Sequence, residues 1–242
     1  MSVASLLAFY SITLIAAIVN GISGFAFGVV VLMVFPYIFG YTKALALAGL
    51  MGLLIACFNA YLYRKDIDWK WVPRWFSVFI AAELVSVLVL KKIGDAPMWY
   101  TLLGVLFMVL GIYLLWGQSK IRIKPTVFTM VIMSVLSGLI MGCFGVGGSV
   151  MAAFFLEATN GKEQYLGTTQ LMGAIIYLVD MILRSANGMF TADLWGLTAV
   201  GVFFMVIGLF IAKKLVSHMD ALTMRRFICA VMIVNGVVTL FH

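Results

Sequence analysis

The sequence predicts an all-α polytopic membrane protein with two inverted-topology repeats, each opening with a glycine-broken helical hairpin followed by three spanning helices. Three observations lead to this prediction. The chain is 64% hydrophobic and 10% charged, with a mean hydropathy of +1.15, which is typical of chains that cross a membrane several times. Two glycine-rich segments occupy corresponding places in the two halves of the chain. Basic residues collect in short loops between apolar segments.

Ten apolar segments follow one another, and several approach the roughly 20 residues that a helix needs to cross a bilayer. They cover residues 3–20, 24–39, 43–63, 70–90, 97–117, 126–142, 144–158, 165–185, 190–214 and 222–242. No polar stretch between them is long enough for a soluble domain. No basic residue precedes the first segment, so we expect it to be a retained membrane segment and not a cleaved signal peptide.

The two halves of the chain align with each other at a slowly drifting offset. Gly28 aligns with Gly145 at an offset of 117 residues, and Gly52 aligns with Gly173 at an offset of 121. A drift in one direction is what a few loop insertions produce, and so long a period indicates a duplicated transporter-like unit. The predicted repeats are residues 1–118 and 125–242.

The first two apolar segments of each half are too short for two full crossings and a turn. At roughly 1.5 Å per residue, residues 3–39 would form about 55 Å of helix and residues 127–158 about 48 Å. The hydrocarbon core is ~30 Å thick. A hairpin of two shortened helices with the glycines at its tip fits better. Whether such a hairpin is re-entrant or fully spanning stays open.

Basic residues predict the orientation of the chain. With both termini outside, the inner loops hold twelve Lys and Arg residues and the outer loops hold four, as the positive-inside rule requires. The inner set is Arg64, Lys65, Lys70, Arg74, Lys120, Arg122, Lys124, Lys162, Lys213, Lys214, Arg225 and Arg226, and the outer set is Lys43, Lys91, Lys92 and Arg184. Because this bias explains the net charge of +7, we expect no nucleic-acid partner. We expect a multi-pass protein of a bacterial-type inner membrane.

The glycine motifs and a polar cluster after the second motif follow a known pattern. The second motif, Gly142-Cys143-Phe144-Gly145-Val146-Gly147-Gly148-Ser149, is close to G-x-x-x-G-x-G-G-G, with two residues between its first glycines where the pattern has three and with Ser149 in place of the last glycine. The first motif, Gly24-Phe25-Ala26-Phe27-Gly28, lacks the double glycine. Thr168-Thr169-Gln170 is similar to a Thr-Ser pair that accompanies this glycine pattern early in the following helix. Over nearly its whole length the chain resembles the sulfite exporter TauE/SafE family. The resemblance implies transport of a small sulfur-containing or carboxylate anion, such as sulfite, thiosulfate or an organosulfonate.

Glycines at the two hairpin tips are the first candidate substrate ligands. A helix that ends inside the membrane presents free backbone N–H groups and the positive end of its dipole, which together favour an anion. Glycine also lets the backbone approach a ligand closely. The alternative is close packing of helices through small residues. The candidates are Gly24 and Gly28 in the first motif and Gly145, Gly147, Gly148 and Ser149 in the second.

Polar side chains inside the spans are further candidate ligands. Thr168, Thr169 and Gln170 could donate hydrogen bonds to an oxyanion without adding a fixed charge. The alternatives are that the Thr hydroxyls bond to their own helix and that Gln170 bonds to a neighbouring helix. Asn59 is included because it and Asp180 occupy equivalent positions in the two halves, at an offset of 121.

Two acidic residues are candidates for coupling transport to an ion. Glu83 lies near the middle of an apolar segment, where a carboxylate is costly and is usually functional or paired. It could take up a proton or form a hydrogen bond between helices. Asp180 is the second candidate, and its alternative is a simple ion pair with Arg184 four residues later.

These features predict a secondary transporter of a small anion that works by alternating access, with the substrate near the midplane between the tips. The coupling stays open between a proton, sodium and the membrane potential alone, and the formation of a homodimer stays open too. The alternatives are a non-transporting membrane scaffold or accessory subunit, and an anion channel, which would need a continuous polar stripe. We expect no enzyme activity, metal or cofactor, because the only histidines are His218 and His242 and no catalytic set can be assembled at membrane depth. The expected partners are the substrate and the lipid bilayer.

Overall fold

The computed structural model of the chain is helical, without strands, over the residues that it describes. These are residues 3–32, 34–93, 105, 108–109, 112, 124–144, 147–186 and 193–240. The predicted segment 97–117 therefore lies largely outside the described residues, and so does Gly145. The helices are α1 (Val3–Ser23), α2 (Phe27–Leu32), α3 (Phe35–Phe39), α4 (Tyr41–Leu62), α5 (Val72–Ile93), α6 (Val127–Phe144), α7 (Gly148–Ala158), α8 (Lys162–Ala186), α9 (Asp193–His218) and α10 (Ala221–Leu240).

The apolar character of the described helices confirms the predicted class of polytopic membrane protein. Within the described part of the chain, three stretches are long and apolar enough to cross a bilayer by length and composition, namely Ser5–Ser23, Lys162–Ile182 and Leu194–His218. Large apolar side chains also cover the outer surface: Phe203 and Phe210 of α9 are exposed by 64% and 60%. Exposure of this kind is unfavourable in water and is expected for side chains that contact lipid tails.

The helices break at both glycine motifs, as the sequence predicts. In the first motif α1 ends at Ser23, and Gly24 follows with a φ of 84°, a value that side chains other than glycine rarely adopt. The next helix, α2, has only six residues. In the second motif α6 and α7 are separate helices. One detail of the prediction is wrong, because α1 has 21 residues and is not shortened. The break comes only after a full apolar span.

Three helix pairs form most of the interior: α4 packs against α8, α5 against α6, and α1 against α9. Glycines make two of these contacts close. A β-carbon added at Gly138 would lie 2.8 Å from Ala82 Cβ, and one added at Gly208 would lie 2.7 Å from Ala17 Cβ. Such distances leave no room for a side chain. Gly138 and Gly208 therefore serve helix packing.

Helices α4 and α8 run antiparallel in a continuous register. The contacts along this register are Gly49 with Asp180, Gly52 with Tyr177, Gly173 with Ala56, and Gly167 with Tyr63. The register places Asn59 level with Gln170. Helix α8 of this pair contacts the first chain break through Tyr165 and Thr169.

Candidate functional site

A small cavity lies between the two chain breaks and the α4–α8 pair. The space open to the centre of a water-sized sphere is about 20 Å³, which is enough for roughly one water molecule. Four of the predicted substrate ligands line it: Gly24, Gly28, Gly148 and Gln170. The full lining is Asn20, Gly24, Phe25, Gly28, Val29, Ala56, Met141, Gly148, Met151, Gln170, Gly173, Ile176 and Tyr177.

Asn20, a residue of α1, stabilises the first break through hydrogen bonds. Its side-chain Oδ1 accepts a hydrogen bond from the Phe27 N–H at 3.2 Å, and its carbonyl accepts one from the Gly24 N–H at 2.7 Å. The Ser23 hydroxyl oxygen accepts the Ala26 N–H at 3.3 Å. The amide at the start of α2 is thus tied back to α1, as helix capping requires.

The neighbouring helix α8 also holds the first break. The Tyr165 hydroxyl donates to the Ser23 carbonyl at 2.6 Å, which satisfies one of the carbonyl groups that the end of α1 leaves free. Thr169 packs against the glycine itself, because a β-carbon at Gly24 would lie 2.7 Å from Thr169 Oγ1. Thr169 Oγ1 donates to the Tyr165 carbonyl at 2.7 Å. Its hydroxyl therefore bonds to its own helix, and its oxygen is the Thr169 atom nearest to the break.

The predicted polar cluster of α8 points in different directions. Gln170 lines the cavity, and its Nε2 donates to the Asn20 carbonyl at 3.4 Å. Thr168 is buried away from the cavity lining, and its Oγ1 accepts the Asp68 N–H at 2.9 Å. Thr168 therefore anchors the loop between α4 and α5. The structure does not bring the three side chains together around one ligand.

The second break is held by α6 and touches the first. The Ser137 hydroxyl donates to the Gly147 carbonyl at 2.8 Å, and a β-carbon at Gly147 would collide with the Ser137 carbonyl. Gly147 is thus required for close approach to α6. At the next residue, a β-carbon on Gly148 would lie 3.2 Å from Phe25 Cβ. The start of α7 therefore sits against the first break, and Ser149 is buried but lies outside the cavity lining.

Asn59 and Glu83 are buried but do not line the cavity. Asn59 is 3% exposed, and its Nδ2 has no hydrogen-bond partner among the described residues. Glu83 is 1% exposed and belongs to the α5–α6 contact, where a β-carbon added at Gly142 would lie 2.9 Å from the Glu83 carbonyl. A carboxyl group buried at a helix contact fits either interpretation of Glu83, a proton carrier or a bond between helices.

Asp180 lies one helical turn beyond the cavity-lining Tyr177. It is buried, and its Oδ2 lies 3.3 Å from the position of a β-carbon on Gly49. Its carboxyl group interacts electrostatically with Tyr177. The side chain of Arg184, the predicted ion-pair partner, lies outside the part of the chain that the structure describes. Asp180 is therefore connected to the cavity through the Tyr177 ring.

Two polar lining residues, Asn20 and Tyr177, were missed by the sequence prediction. Both left a signal in the sequence. Asn20 opens the first glycine motif, and Tyr177 follows Gln170 by seven residues and Gly173 by four, which places all three on one face of a helix. The Tyr177 hydroxyl is also hydrogen-bonded to the Gly28 backbone amide. This bond joins α8 to the start of α2.

Comparison with known proteins gives one match. A family model described as Sulfite exporter TauE/SafE matches residues 9–239, which is nearly the whole chain. No curated protein and no solved structure matches the chain. The match agrees with the resemblance that the glycine motifs indicate.

Proposed function

Because the chain belongs to the sulfite exporter TauE/SafE family, we propose that it moves a small sulfur-containing anion across the inner membrane by alternating access. Candidate substrates are sulfite, thiosulfate and organosulfonates. Membership in this family implies an anion transporter embedded in the membrane. The observation that carries the proposed site is the cavity at which both chain breaks meet the α4–α8 pair.

The start of α7 is the part of this cavity best suited to an anion. It is an 11-residue helix whose N-cap is glycine without a side-chain cap, so its first N–H groups and the positive end of its dipole can act on a ligand beside Gly148. The start of α2 contributes less, because the amides of Phe27 and Gly28 already have partners. Gly24 and Gln170 complete the proposed contact surface, while Thr169 supports the break behind Gly24.

We also propose that the two halves of the chain are inverted repeats. An exchange of α1 with α6 and of α9 with α5 converts the α1–α9 contact into the α5–α6 contact and leaves the α4–α8 contact in place. The same exchange, at the offset of 121 residues, converts the pair Gly52–Tyr177 into the pair Gly173–Ala56. These correspondences support a two-fold axis through the α4–α8 contact, next to the cavity. The proposed repeats are residues 1–118 and 125–242.

The excess of basic residues in one set of loops supports an orientation with both termini outside. Labelling of single cysteines in intact cells with a membrane-impermeant maleimide tests this orientation. In a background in which Cys57, Cys143 and Cys229 are replaced by Ser, Ser2→Cys should react with the reagent and Ser217→Cys should not. The reverse pattern of labelling would contradict the orientation.

The experiment that tests the function is transport by the Gly148→Val variant in proteoliposomes. The valine side chain would enter the space beside Phe25 and fill the cavity, so we expect sulfite transport to be lost while the protein still inserts into the membrane. Gly196→Val is the matched control, because nothing lies within 4 Å of a β-carbon there. Transport by Gly148→Val at the rate of the parent would exclude this cavity as the site.

A further inference from the structure

The amide group of Asn20 leaves one hydrogen-bond donor unused at the cavity. Asn20 is 3% exposed, and its Oδ1 is fixed by the Phe27 N–H at 3.2 Å. This bond determines which end of the amide is oxygen, so Nδ2 is the end that faces away from α2. Nδ2 is buried and has no hydrogen-bond partner among the described residues, although Asn20 lines the cavity. A buried donor without an acceptor is costly, so this position favours a ligand that brings an acceptor.

Tyr177 supplies a second donor to the same space. Tyr177 lines the cavity. Its hydroxyl oxygen is hydrogen-bonded to the Gly28 amide, so the group that it can offer to a ligand is the hydroxyl proton. Further donors are Gln170 Nε2, which also lines the cavity, and the N–H groups at the start of α7 beside Gly148, in a helix of 11 residues. All of these donors are electrically neutral.

No positive charge accompanies these donors. Among the described residues that line the cavity, none is Lys, Arg, His, Asp or Glu, and the charged group that acts on Tyr177 is the carboxyl group of Asp180. The attraction between neutral donors and an ion grows in proportion to the ionic charge. The cost of removing the ion from water grows with the square of its charge, so a dianion costs about four times as much as a monoanion of the same size.

We propose that the cavity is a binding site for singly charged oxyanions, held by Asn20 Nδ2, the Tyr177 hydroxyl and the first amides of α7, and that it discriminates against dianions. This inference rests on the proposed function and names the charge class of the substrate. Hydrogen sulfite and small alkanesulfonates belong to this class. Sulfate, sulfoacetate and thiosulfate carry two charges, so the inference removes thiosulfate from the candidate substrates named above. The flexible side chains of Met141 and Met151 in the lining give the cavity room to expand around an oxyanion larger than water.

The test compares three sulfur compounds of nearly equal size and different charge. Binding of dimethyl sulfone, methanesulfonate and sulfate to the purified full-length protein is measured by isothermal titration at constant ionic strength. We expect methanesulfonate to bind at least about ten-fold more tightly than sulfate, because the desolvation of the second charge of sulfate is not compensated. Dimethyl sulfone, which has no charge, should bind weakly. Equal or tighter binding of sulfate would overturn the charge selection and leave anion transport intact. Failure of both anions to bind would overturn this inference together with the proposed function.

Variants then test which groups hold the anion. Asn20→Leu should weaken methanesulfonate binding by roughly ten-fold or more, the loss expected for one hydrogen bond to a charged partner. Tyr177→Phe keeps the ring and removes the hydroxyl, so it tests the same cavity if Asn20→Leu does not fold. Thr13→Val is the control, because Thr13 is a buried polar residue of the same helix α1 whose hydroxyl bonds to the Phe9 carbonyl. Unchanged methanesulfonate affinity in a folded Asn20→Leu or Tyr177→Phe variant would remove that residue from the site.

Discussion

Replacing Gly24 by alanine tests whether the first chain break depends on the conformation of a single glycine. The φ of 84° at Gly24 costs an alanine roughly 1–2 kcal/mol. The added β-carbon would also lie 2.7 Å from Thr169 Oγ1, so the Thr169 side chain must move and lose its bond to the Tyr165 carbonyl. Loss of that hydrogen bond adds about 0.5–1.5 kcal/mol. We therefore expect Gly24→Ala to lower the free energy of unfolding by about 2–3 kcal/mol.

The two contributions to this loss can be separated by a double-mutant cycle. In a Thr169→Ala background the contact with Oγ1 is absent, so Gly24→Ala should cost about 1 kcal/mol less than it does in the parent, as neighbouring residues in a cycle commonly show. Unfolding in detergent micelles, titrated with sodium dodecyl sulfate, measures all four proteins. Gly196→Ala is the control, since its β-carbon meets nothing within 4 Å and alanine favours a helix. A Gly24→Ala variant as stable as Gly196→Ala would refute the assignment of the break to Gly24.

Two further variants address the support of the break and ion coupling. Tyr165→Phe removes the hydroxyl that donates to the Ser23 carbonyl at 2.6 Å. The buried carbonyl left without a donor should lower the free energy of unfolding by about 1–3 kcal/mol in the same assay. An unchanged unfolding midpoint would show that α8 does not hold the break. Glu83→Gln should flatten the pH dependence of transport in proteoliposomes if the buried Glu83 carboxyl carries the coupling proton. Glu163→Gln, a change at a largely exposed carboxyl group, is its control, and an unaltered pH profile in Glu83→Gln would take Glu83 out of the coupling scheme.

The sequence predicted the class of fold and the position of both breaks because these depend on local chemistry. Long apolar stretches leave helices as the available structure in a membrane. Clustered glycines such as those at Gly24 and Gly148 interrupt a helix regardless of what that helix packs against. Gln170 could be predicted as a ligand because a polar side chain inside a membrane span is usually functional or hydrogen-bonded. These signals are contained in a few neighbouring residues.

The roles of individual polar residues depended on contacts between distant parts of the chain, and such contacts are not visible in the sequence. Thr168 was a predicted ligand, but it does not line the cavity, and its Oγ1 accepts the N–H of Asp68, 100 residues away along the chain. The spacing of Tyr177 from Gln170 and Gly173 left a signal in the sequence, but only the register of α4 and α8 places Tyr177 beside the cavity. The unused Asn20 donor became visible only once the partner of its Oδ1 was known.

The most direct test of the central claim is the position of a bound anion that scatters anomalously. A structure of the protein with 2-bromoethanesulfonate, determined with data at the bromine absorption edge, would locate the anion without reference to any variant. We predict a bromine peak at the cavity between the two breaks, with the sulfonate oxygens within hydrogen-bond distance of Asn20 Nδ2 and the amides beside Gly148. An anion bound elsewhere, with this cavity holding only water, would contradict the account.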